Sequence, residues 1–166
     1  MSLPLVPVLK SYWLMIHVAV ITASYGFFGN SFLLGLLTFA FMSAGNPSKV
    51  ALLQPHIREL SIINEMSLHI GLYLLTAGIF LGAVWANESW GRYWGWDPKE
   101  TWALITMVVY AFILHARFLP ALRSDYAFSV MSVLGLASVL MTYFGVNYYL
   151  SGLHSYGGGD TPPGLT

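Results

Sequence analysis

Trp90-Gly91-Arg92-Tyr93-Trp94-Gly95-Trp96-Asp97-Pro98-Lys99-Glu100 is the stretch on which the fold turns. It lies between two apolar runs, residues 66–86 and 101–119. Two glycines and a proline interrupt any continuous helix here. The stretch also holds four of the chain's fourteen fixed charges, which do not belong in hydrocarbon. It therefore reads as a connection outside the lipid between two membrane-spanning helices. It is unusually aromatic as well: four of the six tryptophans fall between Trp85 and Trp96.

Composition agrees with a membrane setting. Of 166 residues, 57% are hydrophobic and only 8% are charged, against about 25% in soluble domains. The mean hydropathy is +0.66. A formal net charge of zero offers nothing to a nucleic acid. Without a cysteine, the chain can form no disulfide, thiolate metal site, iron–sulfur cluster or c-type haem linkage of its own. Five histidines are its strong nitrogen ligands.

Working outward, four runs are apolar enough to span a bilayer: residues 11–44, 66–86, 101–119 and 126–150. The first is longer than a membrane is thick, so it must tilt, kink or extend beyond the lipid, and Gly26, Gly29 and Asn30 are the favoured place for any bend. Gly45-Asn46-Pro47-Ser48 ends it. Residues 49–65 read as a polar connector with a short interfacial helix from Pro55. In the second run Gly71, Gly78 and Gly82 share a face, and Gly78 and Gly82 have the spacing that lets helices approach closely. The predicted fold class is all-α: a polytopic membrane protein of about four transmembrane helices with an external Trp-rich loop. It forms a single membrane domain over residues 1–166, with 156–166 a flexible tail. The first ten residues lack the basic start of a signal peptide. Both chain ends and the Trp loop share one face. Lys49, Arg58, Arg117 and Arg123 outnumber Lys10, Arg92 and Lys99 four to three, which favours the loop on the outer side.

The histidines separate by depth. His17 lies about 8 Å into the first helix from the loop side, and His154 follows the fourth helix on that side. His115 is fifteen residues past Glu100, hence about 22 Å away. It shares a face with Thr101, Leu104, Val108 and Ala111, expected to point into the bundle. His56 and His69 read as solvated or structural. Two histidines at one surface around an aromatic loop suggest a haem, which takes two axial imidazoles. Trp90, Trp94 and Trp96 could stack on its ring, and Arg92 and Lys99 could pair with its propionates. Asp97-Pro98-Lys99-Glu100 is also a capping box, with Asp97 at the N-cap and Glu100 at N3. That structural role for Asp97 does not exclude one in shaping the loop around a ligand.

The motif from Trp90 through Thr101 to Trp102 closely resembles the tryptophan-rich WWD signature of haem-handling proteins. It is most similar to the CcsA (ResC) family of System II cytochrome c biogenesis, including fused CcsBA proteins; CcmC and CcmF carry related loops. The resemblance runs from about residue 6 to 159. It implies that His17 and His154 ligate haem b, held non-covalently, at an external site on the WWD loop. It implies that His115 belongs to a second, intramembrane haem site. The implied function is to move haem across the membrane and join it to the Cys-X-X-Cys-His motif of an apocytochrome c. Family members have further helices before this region, and a CcsB-type partner or fused part supplies the other inner ligand. The chain thus resembles the C-terminal core of a cytochrome c synthase, in a bacterial inner membrane with the loop on the periplasmic side, or in a thylakoid membrane. The alternative is a cytochrome b-type electron-transfer subunit that never releases its haem.

Overall fold

The computed structural model describes residues 12–149. His154, Lys10 and the tail expected at 156–166 lie outside them. Helix α1 spans Tyr12–Ser43, α2 Pro47–Trp90 and α3 Pro98–His115, which a 3-10 turn extends over Ala116–Phe118. Helix α4 spans Asp125–Leu140 and continues through a π-helical segment, Met141–Gly145, into α5, Val146–Tyr149. Among the described residues, four helices are long and apolar enough to cross a membrane: Tyr12–Ser43, Pro47–Trp90, Pro98–Phe118 and Asp125–Gly145. The architecture is the expected all-α membrane bundle.

One expectation fails. The connector over residues 49–65 is neither a loop nor a separate interfacial helix, because α2 runs unbroken for 44 residues, about 66 Å. Pro47 occupies the first turn, where its missing N–H costs nothing. Val50, Leu53, Ile57 and Leu60 continue the helical apolar spacing through the polar stretch, and Ile57 is fully buried. Packing of that stripe outweighs the one backbone bond lost at Pro55. The 32-residue α1 is likewise one helix through Gly26, Gly29 and Asn30.

Helices α1 and α2 form a long hairpin, with the glycines of α2 as the seam. A Cβ on Gly71 would meet Phe28 at 2.7 Å, one on Gly78 would meet Ile21 at 2.5 Å, and one on Gly82 would meet His17 at 2.6 Å. Small residues matter here because lipid tails supply no hydrophobic drive between helices, so close contact must. Helix α4 crosses α1 at Gly35 and α3 at Gly135. Phe28 stacks on Tyr110 at the centre, with ring centroids 3.8 Å apart.

Polar pairs lock the bundle. Buried Asn64 accepts from Ser31 of α1 and donates to Ser132 of α4 at 3.1 Å. Asn30 donates to Ser67 at 3.0 Å. At the end away from the loop, Arg117 holds Asp125 at 3.0 Å, Glu65 at 3.4 Å and Ser61 at 2.5 Å. Both helix pairs return to the loop end, where Lys99 donates to Asn147 at 3.3 Å.

Candidate functional site

The Trp loop is built from its two edges inward. Gly91 ends α2 in the left-handed region, φ 74°, and its N–H bonds the Asn87 carbonyl. At the other edge the capping box forms as expected, with Asp97 accepting from the Glu100 N–H at 2.8 Å. Glu100 goes further than a capping partner. Its Oε2 accepts the N–H of Gly95 at 2.7 Å and that of Asp97 at 3.3 Å. These two donors flank Trp96, which sits at φ 57°. A side chain in that region costs about 1–2 kcal/mol, and the two converging N–H bonds to a carboxylate offset it. Glu100 is only 8% exposed, and its other oxygen faces the Arg92 guanidinium at 3.5 Å. Arg92 folds back over Gly95, where a Cβ has no room, and lies 5.7 Å from the Trp90 ring.

The three loop tryptophans are placed differently from one another. Trp90 packs edge-on against fully buried Trp85, 4.7 Å between centroids. Trp85 in turn lies parallel to His17 at 6.4 Å. Trp94 is half-buried and meets Trp96 edge-to-face at 5.6 Å, while Trp96 is 67% exposed.

His17 is held from three sides. Its ring lies over Gly82, its plane parallels Trp85, and its Nδ1 bonds the Gly78 carbonyl at 2.7 Å. A carbonyl accepts, so Nδ1 carries the proton and the lone pair is on Nε2, the tautomer of a metal-ligating imidazole. Beneath the loop is a small, mostly apolar cavity of about 60 Å3, lined by His17, Tyr25, Tyr93, Trp94, Lys99 and Glu100 among others. One buried polar atom of its wall, Trp94 Nε1, has no hydrogen-bond partner, while Glu100 Oε1 and Arg92 Nη1 face each other at 3.5 Å as an ion pair. An oriented imidazole, an apolar lining with aromatic walls and one buried indole N–H suit the edge of an amphiphilic planar ring bearing a metal, although the cavity is too small to enclose the whole ring.

Residues that sequence reasoning passed over complete this picture. Tyr25 and Thr142 line the cavity, and Thr142 lies in the π-helical segment, bonded to Thr106 at 2.9 Å. Trp85 and Gly82 shape the seat of His17. The glycine spacing was a usable signal for Gly82, while nothing in the sequence links Thr142 to His17. His154, the expected second ligand, lies outside the described residues.

His115 is at the opposite end of α3, so it does not share this cavity. Its face is a correction. Val108 and His115 are exposed, and the buried face of α3 runs instead through Thr106, Tyr110, Ile113 and Leu114. The glycine of α4 and Phe28 of α1 draw Tyr110 inward, which turns His115 outward. Its Nδ1 bonds the Ala111 carbonyl at 2.7 Å on its own helix. His56 and His69 are exposed too, paired with Glu59 and with the Glu65 carbonyl.

Comparison with known proteins gives a consistent result. Residues 2–154 match the family described as cytochrome C assembly protein. Protein NrfI of Wolinella succinogenes is 58% identical over 159 residues, covering 96% of this chain but 18% of that protein. Cytochrome c biogenesis protein CcsA of Guillardia theta is 40% identical over 176 residues, covering 93% of this chain and 57% of that protein. For the CcsA of Chlamydomonas reinhardtii the values are 42% over 156 residues, 93% and 43%. The chain thus spans about half the length of the CcsA relatives and less of NrfI.

Proposed function

The chain belongs to the cytochrome c assembly protein family, and from that premise we propose that it is the haem-holding core of a cytochrome c synthase. It is an integral membrane protein of a cytochrome c biogenesis family. Haem b is its cargo, held non-covalently at the outer face between His17 and His154. The observation that carries this reading is His17 itself: a half-buried imidazole lining the cavity under the Trp loop, with Nδ1 fixed on the Gly78 carbonyl.

Each neighbour has a part. Trp85 and Trp90 brace the His17 ring. Trp94 borders the cavity, and Trp96 extends the aromatic surface outward, where an approaching protein would meet it. Lys99 is the cation that lines the cavity and suits a propionate. Arg92, turned toward Glu100, serves first to hold the loop. Asp97 starts α3 and thereby sets where Glu100 points.

The partner is an apocytochrome c bearing Cys-X-X-Cys-His. Each of its thiols adds across a vinyl group of the cargo, forming a carbon–sulfur bond while the proton passes to the neighbouring carbon. This chain has no thiol, so its contribution is proximity and orientation. His115 and a CcsB-type partner or fused part would form the inner haem site. His115 stands exposed beside Phe118 at the end of α3 away from the loop, which leaves its ring open to a covering partner. The membrane is proposed to be a bacterial inner membrane, with the loop on the periplasmic side.

Haem spectra of purified His17→Ala and His154→Ala variants test the ligand assignment. Each is expected to lose the bis-histidine signature, and full retention in both would overturn it. Covalent labelling of a co-expressed Cys-X-X-Cys-His peptide, with the CcsB-type part present, separates a synthase from an electron carrier. An electron carrier leaves that peptide unlabelled.

A further inference from the structure

At the end of the bundle away from the Trp loop, a second cavity of about 550 Å3 opens between α2, the turn after α3, and the start of α4. Its wall carries three cations, Arg58, Arg117 and Arg123, against two carboxylates, Glu65 and Asp125. Arg117 alone accounts for both carboxylates, at 3.4 and 3.0 Å, while its guanidinium rests 4.1 Å from the Phe128 ring centroid. Arg58 and Arg123 are exposed, and neither has an ion-pair partner among the described residues. The cavity therefore keeps an excess positive charge at its mouth, on two arginines from different elements. The first turn of α4, capped by Ser124, adds the positive end of a helix dipole to the same wall.

Exposed Phe118 and Tyr126 stand at the same level on the outside of the bundle. Aromatic side chains there mark the boundary between hydrocarbon and water. A cavity at that depth meets headgroups, not acyl chains. We propose that Arg58 and Arg123 form a phosphate-binding site, and that its occupant is the phosphodiester of an anionic lipid headgroup. Guanidinium groups suit it because each offers paired N–H donors that match phosphate oxygens. Arg117 is the fixed floor and the two exposed arginines are the adaptable contacts. Bound there, a headgroup would tie α2 to the turn between α3 and α4 at an end where no helix loop does so.

Lipid binding to the purified full chain, measured by native mass spectrometry with phosphatidylglycerol against phosphatidylcholine, tests this. The wild type is expected to prefer phosphatidylglycerol, and R58Q/R123Q to lose that preference by roughly tenfold or more. Neither arginine packs into the bundle, so an unchanged melting temperature accompanies the loss. K49Q, which removes an exposed charge outside the cavity at the same end, keeps the preference. Equal binding of the two lipids by wild type overturns the proposal, as does a preference retained in R58Q/R123Q or lost equally in K49Q. Adding inorganic phosphate identifies the source. Failure to displace phosphatidylglycerol assigns the site to the lipid, and displacement at comparable concentration assigns it to free phosphate and overturns the lipid occupant.

Discussion

Replacing Glu100 with alanine should collapse the Trp loop while leaving the four helices in place. The magnitude follows from what its carboxylate holds. Two backbone N–H groups, on Gly95 and Asp97, end on one oxygen. Net contributions to a charged acceptor run about 1.5–3 kcal/mol each. The Arg92 pair adds less than a fully buried one, because the Arg92 side chain is 34% exposed. The two bonds together therefore set a loss of about 3–6 kcal/mol for E100A, to which the partly exposed pair adds little. At roughly 2–4 °C per kcal/mol for a chain of this size, the melting temperature falls by about 6–24 °C. E100Q keeps the accepting oxygen but turns an amide NH2 toward the Arg92 N–H, so its loss is smaller, about 1–2 kcal/mol. The assay is thermal unfolding in detergent, with amide hydrogen exchange read on the loop peptide that contains Gly95 and Asp97. Those amides exchange much faster in E100A than in wild type. The reasoning is refuted if E100A melts within about 2 °C of wild type and its loop amides remain as protected.

Three further substitutions probe other parts of the structure. In Gly82→Ala a new Cβ lies 2.6 Å from the His17 ring; the imidazole must leave its seat at a cost of about 1–3 kcal/mol, so haem absorbance per protein falls, and unchanged spectra argue against His17 as a ligand. Asn64→Ala removes the link joining α1, α2 and α4, destabilising the bundle by about 0.6–1.7 kcal/mol in a reversible unfolding assay; a change outside that direction contradicts the role given to Asn64. His115→Ala changes stability of this chain by less than about 0.5 kcal/mol, since the ring bonds only its own helix and is exposed; a large loss of melting temperature would show that it packs inside after all.

Much of this was legible along the chain. Local rules place Asp97, Pro98 and Glu100 at a helix start, because capping depends on neighbours three residues apart and needs no tertiary partner. The length of an apolar run reports a span for a similar reason: bilayer thickness is an external ruler. The glycine spacing of α2 likewise announced a close helix contact, though not that His17 would fill it. The connector at 49–65 shows where composition misleads. Its charges drew attention away from Val50, Leu53, Ile57 and Leu60, whose helical spacing extends α2.

The sequence by itself determined an all-α membrane protein, a Trp loop between two spans, and the family to which the motif points. Only the tertiary structure decided what the loop's residues do. Arg92 pairs with the buried Glu100 carboxylate at 3.5 Å, a contact eight residues apart that no local rule announces. The three loop tryptophans look equivalent in sequence, yet one braces Trp85, one lines the cavity and one faces outward. His115 shows the same limit. Periodicity tells which residues share a face of a helix, but which face is buried depends on the helices packed beside it. Here Phe28 and Gly135 claim the Tyr110 side of α3 and leave His115 on the surface.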